Sequence, residues 1–563
     1  MAGRHACEPS RCRGPRTSIG WRLSSGRSPV PAERGRWAWV RPGVALHEVI
    51  SPDGDPDRLL TRFDCQIVKL QPKVIVGRIS TPVGTLYVKR YNVFAWRIAV
   101  ASLWRLSPAA GAWVGAARLA AHGFAAPDVI AAIEYRRFGV LRRSFFLTRE
   151  VPDATPADVR WQEILAEPDG RRRRLARRAL TRALGDLFRR LHAASVYHND
   201  LKDVNILVTG PPEQPRCVLL DLERIRLPLH LGRGRRVKNL VQLARTLGRR
   251  ASAADRLRFL VAYLGQADHV ARRRWARAVA RRTARKERGR RPDPPAAHVP
   301  AVSCTVICQN EERLLAHCLE SVTWCDEIVV VDGGSTDGTL GIARRFASRI
   351  LVNPWPGYRA QKQAALDASR GEWVLNVHAD ERVTPDLATE IRAALAEVPP
   401  EVVGFAIPRL VCYLGRWWYR GGWYPRPIVR LVRRTATRWG GVDPHERAEV
   451  KGRVVRLRWP LLHYTYRDIT DHLRSLNKLT SVAAGQPKLP QRIGASRLVA
   501  EPAWRFVRSY LVHRGFVDGV PGLFVAMTGA FYVFLRWAKV WERRRDEEQA
   551  GEVPPLDRSQ AGF

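Results

Sequence analysis

Four residues suited to phosphoryl transfer crowd into one short run: His198, Asp200, Lys202 and Asn205, within Val196-Tyr-His-Asn-Asp-Leu-Lys-Asp-Val-Asn-Ile-Leu-Val208. A later apolar run, Leu219-Leu-Asp-Leu-Glu223, ends in the carboxylates of Asp221 and Glu223, and Lys89 closes the upstream run Leu86-Tyr-Val-Lys89. Phosphoryl transfer asks for a carboxylate to orient the acceptor hydroxyl, oxygen ligands for magnesium and cations around the phosphates, with no covalent nucleophile. A second set lies downstream, in Cys304-Thr-Val-Ile-Cys-Gln-Asn-Glu-Glu-Arg-Leu-Leu315, Asp326-Glu-Ile-Val-Val-Val-Asp-Gly-Gly-Ser-Thr-Asp-Gly-Thr339 and Gly371-Glu-Trp-Val-Leu-Asn-Val-His-Ala-Asp-Glu381. Each places polar residues at the end of a strand-like run, where open parallel sheets bind ligands and glycines admit a close approach. There Gln309, Asn310, Glu311, Asp332, Ser335 and Asp337 are expected to line a nucleotide mouth, with His378, Asp380 and Glu381 beside it.

These residues need different scaffolds. Lys73-Val-Ile-Val-Gly-Arg-Ile79 and Thr85-Leu-Tyr-Val-Lys-Arg90 read as strands that precede helical sequence, the order of a small sheet lobe before a helical lobe. Ala301–Cys308 and Glu327–Asp332 are buried-strand patterns separated by a helix-length stretch, a βαβ unit that starts a parallel sheet. Between them, Arg-rich sequence ends in Arg-Arg-Pro-Asp-Pro-Pro, where prolines cannot continue a helix and favour an extended connection.

The first set resembles the catalytic loop and metal motif of protein-kinase-like phosphotransferases. The segment Arg235-Arg-Val-Lys-Asn-Leu-Val-Gln-Leu-Ala-Arg-Thr-Leu247 narrows the resemblance to the lipopolysaccharide core heptose and Kdo kinases, over about residues 60 to 265. It implies a cytoplasmic kinase that uses ATP with Mg2+ on a core sugar hydroxyl. Asp200 would accept the hydroxyl proton, Lys202 would neutralise the transferring phosphoryl group, Asn205 and Asp221 would hold magnesium, and Lys89 the nucleotide phosphates. Two departures stand out. The expected helix, Ala109 to Arg118, has no glutamate to pair with Lys89, Ala112 standing in its place, and Asp-Leu-Glu replaces Asp-Phe-Gly. A non-catalytic pseudokinase scaffold is therefore the alternative to an active kinase.

The second set resembles the nucleotide-sugar half of family 2 glycosyltransferases, whose DxD motif holds a divalent ion against the diphosphate leaving group. Asp380 would be the metal ligand, and His378, standing where an aspartate is common, a second ligand or a residue facing the sugar. Pro408-Arg-Leu, Gly421-Gly-Trp-Tyr-Pro425, Arg430-Leu-Val and Val442-Asp-Pro-His-Glu446 resemble the acceptor half of the lipopolysaccharide core beta-1,4-glucosyltransferase subgroup. That implies inverting transfer of a hexose, glucose from UDP-glucose with Mg2+ or Mn2+, onto a lipid-linked core oligosaccharide. Direct displacement needs a carboxylate base; Glu446 is the first choice and Asp443 the second. Arg426 occupies a position where relatives often carry aspartate, and His463 is either a ligand or a structural residue.

The expected fold is an α+β protein-kinase-like two-lobed domain, then an α/β GT-A (Rossmann-like) glycosyltransferase domain with a C-terminal amphipathic helical segment. Its expected divisions are a disordered basic leader (1–44), the kinase-like domain (45–270), a basic linker (271–300), the transferase (301–490), a membrane-associating segment (491–545) and a tail (546–563). With 95 Lys and Arg against 53 Asp and Glu, the chain carries a net charge of +42, which favours anionic partners without choosing among them. A charge excess alone does not build a specific nucleic-acid site, and none is expected. Nine cysteines without CxxC pairs argue against a disulfide framework or a zinc ribbon. The apolar stretch Phe516–Leu535 is interrupted by Asp518, Gly519, Pro521 and Gly522. With Arg505, Arg508, Arg514, Arg536 and Lys539 near Trp504, Trp537 and Trp541, it reads as a helix lying in the interface of an anionic membrane. The expected location is peripheral, on the cytoplasmic face of the bacterial inner membrane.

Overall fold

The computed structural model describes residues 30–33, 36–50, 55–93, 96–287, 301–443, 446–485, 494 and 496–551. Its first domain opens with a seven-stranded antiparallel sheet, ordered Val30–Glu33, Arg36–Val40, Val129–Arg137, Val140–Arg149, Gly84–Asn92, Val74–Thr81, Gln66–Gln71. Alternating burial along Val74–Thr81 and Gly84–Asn92 gives the sheet one packed face. The helix Pro108–Ala121 starts cleanly because Ser107 accepts a hydrogen bond from Ala110 N and Pro108 sits in its first turn. A helical lobe follows, built on Gly170–Ala193, whose apolar face packs on Ala253–Leu264.

The second domain contains a ten-stranded mixed sheet. Its parallel portion runs Arg349–Val352, Glu327–Asp332, Val302–Cys308, Trp373–His378. The second and third of these are almost entirely buried, as a sheet covered on both faces requires. The strand order reverses at Val302–Cys308, so the crevice lies beyond its carboxyl end and those of its neighbours. Pro427–Arg433 and then Val402–Tyr413 extend the sheet antiparallel, and Glu381–Arg382 pairs with Leu461–Tyr464 at its far side.

Several expected divisions shift. Part of the basic leader forms the strands Val30–Glu33 and Arg36–Val40, while residues 1–29 lie outside the described residues. Most of the expected extended linker is helical: His269–Glu287 packs on Arg233–Ala244, so its arginines decorate the first domain, and residues 288–300 lie outside the described residues. The C-terminal helix runs Gly519–Gly551, carrying the helical segment into the expected tail; residues 552–563 lie outside the described residues. Asp518, Gly519, Pro521 and Gly522 stand at the start of this helix rather than inside it.

The two domains share one apolar core. Leu60, Cys65 and Ile67 from the first pack with Leu410, Trp417, Leu462 and Tyr464 from the second. Arg382 donates to Cys65 O at 3.3 Å and lies over the Tyr464 ring, fixing the small lobe to the transferase.

Candidate functional site

In the first domain a cleft of about 2590 Å³ brings together Lys89, Asp200, Asn205, Asp221 and Glu223. Asp200 is placed by its own loop. His198 holds Leu220 O through Nε2 at 2.8 Å and accepts from Asp200 N through Nδ1 at 3.2 Å, while Asn205 Nδ2 donates to Asp200 O at 2.8 Å. That bond uses the amide nitrogen of Asn205, whose amide oxygen is a hard donor suited to magnesium. Lys202 Nζ sits 3.0 Å from Asp200 Oδ1. Asp221 adopts a left-handed backbone, φ 53°, that carries its carboxylate toward Lys89.

Lys89 Nζ donates to Asp221 Oδ1 at 2.6 Å and to Glu223 Oε1 at 3.0 Å. Burial works against its charge, but Glu223 and Asp221 outweigh it and raise the Lys89 pKa above its ordinary value. Glu223 thus supplies the carboxylate that the helix Pro108–Ala121 lacks. The reason is steric. A Cβ on Gly115 would stand 2.1 Å from Leu222 O, and Ala112 is fully buried, so the helix lies too close to the Leu222–Arg224 turn to carry a long acid. Sequence reading saw Glu223 only as a departure from Asp-Phe-Gly; its signal was the paired carboxylates of Asp-Leu-Glu.

In the second domain the loops 309–312 and 333–338 are laced together. Asn310 Oδ1 accepts from Thr336 N at 2.8 Å, Asn310 N donates to Ser335 Oγ at 2.9 Å, and Asp337 accepts from Glu312 N and Thr339 N. Asp332 is fully buried, accepting from Gly334 N and Ser335 N at 2.9 Å and from the Ser335 hydroxyl. This corrects the expectation that Asp332 lines the nucleotide mouth: its carboxylate is buried and organises the turn. Asn310 and Ser335 likewise shape the mouth by bonding each other, and Asp337 by accepting from Glu312 N and Thr339.

Glu311 is different. Burial and the nearby charge of Asp380 push its pKa up to about 7. Two carboxyls close enough for one charge to raise the other's pKa offer hard oxygen donors of the kind a divalent ion takes. His463 Nε2 lies 2.9 Å from Asp380 Oδ2, and its buried Nδ1 has no partner. Among the described residues no cluster of three or more such side chains could hold a metal alone, so an ion there would draw its remaining ligands from nucleotide phosphates.

His378 does not join that set. Arg430 Nη1 donates to its Nε2 at 3.0 Å and to Asn376 Oδ1 at 2.9 Å, and Arg430 Nη2 donates to Glu381 Oε1 at 2.8 Å. Burial, Arg430 and Lys362 hold His378 far below its ordinary pKa. A guanidinium against the ring occupies the place a metal would need, which corrects the expectation of a nitrogen ligand.

The two acid candidates also separate. Asp443 accepts from Tyr358 N at 2.9 Å and Arg359 N at 3.0 Å, capping the helix Tyr358–Ala368. Gly357, φ 103°, admits it, since a Cβ there would meet Asp443 Oδ2 at 2.3 Å. Glu446 Oε1 accepts from Lys362 Nζ at 2.6 Å, while the buried Glu446 Oε2 has no partner. Burial and Arg430 lower the Lys362 pKa to about 8. No motif marked Lys362, and Arg430 showed only within the Arg430-Leu-Val resemblance, with no role assigned to it.

Residues 109–263 match the lipopolysaccharide kinase (Kdo/WaaP) family and residues 303–448 match glycosyl transferase family 2. The lipopolysaccharide core biosynthesis glycosyltransferase LpsC of Rhizobium meliloti (strain 1021) is 33% identical over 250 residues, 43% of this chain and 92% of LpsC. The uncharacterized glycosyltransferase RT0209 of Rickettsia typhi is 29% identical, over 43% of this chain and 87% of that protein. Among solved structures, WaaP in complex with acyl carrier protein is 20% identical, with a TM-score of 0.35, over 45% of this chain and 98% of that chain. The mannosyltransferase PcManGT from Pyrobaculum calidifontis, in complex with GDP-Man and Mn2+, is 16% identical, with a TM-score of 0.29, over 46% and 92%.

Proposed function

Since the chain belongs to glycosyl transferase family 2, with a domain of the lipopolysaccharide kinase (Kdo/WaaP) family ahead of it, we propose that it modifies one lipid-linked core oligosaccharide twice. One domain transfers a hexose from a nucleotide sugar with inversion, and the other transfers phosphate from ATP to a core sugar hydroxyl. The observation that carries the reading is Glu446, a buried carboxylate pinned through one oxygen by Lys362 and left with the other unpartnered. That oxygen takes the proton of the acceptor hydroxyl as the hydroxyl oxygen attacks the anomeric carbon. The bond from that carbon to the nucleoside diphosphate breaks on the opposite face, which inverts the centre. A divalent ion at Asp380, with His463 and Glu311 beside it, would offset charge on the leaving diphosphate. UDP-glucose is the donor that the sequence resemblance favours.

In the kinase cleft, Asp200 orients the acceptor hydroxyl and receives its proton, Lys89 holds the ATP phosphates, and Asn205 with Asp221 would hold magnesium. The Lys89–Glu223 pair favours an active kinase over a scaffold, because the missing helix carboxylate is replaced. The enzyme sits on the cytoplasmic face of the inner membrane as a peripheral protein. Supporting this, the helix Gly519–Gly551 exposes Val520, Leu523, Met527, Phe531, Phe534 and Trp541 at three- and four-residue spacing along much of its length. By length and composition that helix could also cross a bilayer; extraction of the membrane-bound protein by high salt or carbonate supports the peripheral reading, and a need for detergent contradicts it.

The test is to incubate the purified chain with core-oligosaccharide acceptors, ATP and a panel of nucleotide sugars, then read mass shifts. Hexose and phosphate together support the reading. Hexose alone makes the first domain a scaffold, and neither overturns it.

A further inference from the structure

A second cavity, about 330 Å³, lies where the loop Gly421–Arg426 meets the segment Arg505–His513. Arg426, Arg505, Arg508 and His513 line it together with Tyr424, and among the described residues no carboxylate does. The two walls are tied by backbone: Gly421 N donates to His513 O at 3.1 Å, and the Ser509 hydroxyl donates to Gly421 O at 2.9 Å. Gly421 and Gly422, φ 71° and 78°, make the turn that permits this.

We propose that this cavity is a phosphate-binding site in which Arg426, Arg505 and Arg508 take the oxygens of a phosphate group on a membrane-borne ligand.

Three observations carry the assignment. Among the described residues none of the three guanidinium groups pairs with a carboxylate, whereas nearby Arg416 and Arg420 both reach Asp518. Unpaired like charges gathered in one cavity repel, and that cost is relieved when an anion enters. Consistently, burial and the charges of Arg426 and Arg508 lower the Arg505 pKa below its ordinary value. The chemistry also fits: guanidinium forks grip phosphate oxygens in pairs, and the cavity has room for a phosphorylated sugar rather than a bare ion.

Location narrows the ligand. Arg426 acts electrostatically on Arg409, which stands 3.8 Å from Glu381, next to Asp380, so the cavity lies within electrostatic reach of the transferase site. Trp504, Leu511, Val512 and Phe516 are exposed on the segment that forms its other wall. The phosphate therefore comes from a phosphorylated sugar of the lipid-linked acceptor, an identification that rests on the proposed function, or from a phospholipid headgroup.

The experiment begins without turnover: inorganic phosphate is titrated calorimetrically into the full chain and into Arg505→Gln/Arg508→Gln. Affinity should fall by roughly 10-fold or more in the variant and be largely restored in Arg505→Lys/Arg508→Lys, with circular dichroism reporting the fold. Equal affinity in wild type and the Gln variant, or no binding by wild type, overturns the site. Source is then read on matched acceptors before and after phosphatase treatment, and by flotation with phosphatidylcholine vesicles with and without phosphatidylglycerol. A sugar phosphate predicts a KM for the phosphorylated acceptor raised roughly 10-fold in the Gln variant, with KM for the nucleotide sugar unchanged. A headgroup predicts lost flotation on phosphatidylglycerol vesicles and no discrimination between acceptors; if neither readout changes, the membrane-ligand assignment falls. Should wild type transfer hexose to no acceptor, the functional reading fails while the phosphate titration still decides the site.

Discussion

The two reaction centres handle charge in opposite ways. In the kinase-like cleft the ions stand at the edge of a large open space: the Lys202 and Asp200 side chains are 44% and 27% exposed, and the more enclosed Lys89, Asp221 and Glu223 still 18%, 29% and 15%. In the transferase the ions are buried under the mouth: Arg430 is 4% and Glu381 0% exposed, and Lys362 and Glu446 are 2% and 9%. Exposed pairs contribute little and are screened, so the first cleft should gain its final geometry from nucleotide and magnesium. Buried charges must be satisfied in place or they cost several kcal/mol, so Arg430 and Lys362 fix Glu381 and Glu446 before any ligand arrives. The proposed base, held by buried ions, and the more open kinase-like cleft thus belong to domains joined through one apolar core.

The strongest way to break the comparison is Asp380→Ala. Hexose transfer should fall about 1000-fold or more, since a divalent ion held by Asp380 would offset charge only on the nucleotide leaving group, while phosphate transfer is unchanged. A mass-resolved assay of both products checks it, and comparable hexose transfer would remove Asp380 from the chemistry.

Lys362 tests whether the transferase charges are truly prebuilt. Its ordinary pKa is 10.5 and its folded value about 8. Between those values the unfolded chain keeps a proton that the folded chain has lost, so Lys362 makes stability rise with pH across that window. The gain should be on the order of 3 kcal/mol. Lys362→Met should lose this slope, read as the difference between wild-type and variant urea unfolding from pH 7.5 to 10.5. Parallel curves would show that Lys362 titrates normally.

Asp200→Ala probes the other centre. Phosphate transfer should drop about 100-fold or more, while ATP binding and hexose transfer persist, because Lys89, Asn205 and Asp221 remain. If wild type phosphorylates and the variant matches it, Asp200 does not orient the acceptor.

Glu223→Gln should weaken ATP binding by roughly 10-fold, the loss expected when one charged partner of a part-buried lysine is removed. Unaltered nucleotide affinity, measured by equilibrium dialysis, would leave Lys89 positioned by Asp221 alone.

The smallest effect separates two acids that sequence could not. Asp443→Asn should cost about 1 kcal/mol of stability as a weakened helix cap with little change in turnover. Glu446→Gln should instead lose about 100-fold in hexose transfer with donor KM unchanged. The reverse pattern would exchange their roles.

Sequence alone determined the two fold classes, their order and the strand-end positions of the motifs, because hydrophobic period and turn chemistry act over a few residues. The loop from His198 to Asn205 was legible because its chemistry-bearing types crowd into eight residues and bonds inside the loop hold Asp200, although Asn239 and Gln242 of the helix Arg233–Ala244 brace its backbone from outside. Tertiary structure decided what each acid does. Asp332 lies where sequence puts it, yet burial and the amides of Gly334 and Ser335 consume its carboxylate. Asp443 and Glu446 are three residues apart, but only packing aims one at a helix terminus and the other at Lys362, 84 positions away. Glu223 replaces a helix acid because Gly115 lets that helix close on the turn before it. Such assignments depend on which distant groups share a buried volume, and burial, unlike residue type, is a property of the whole folded chain.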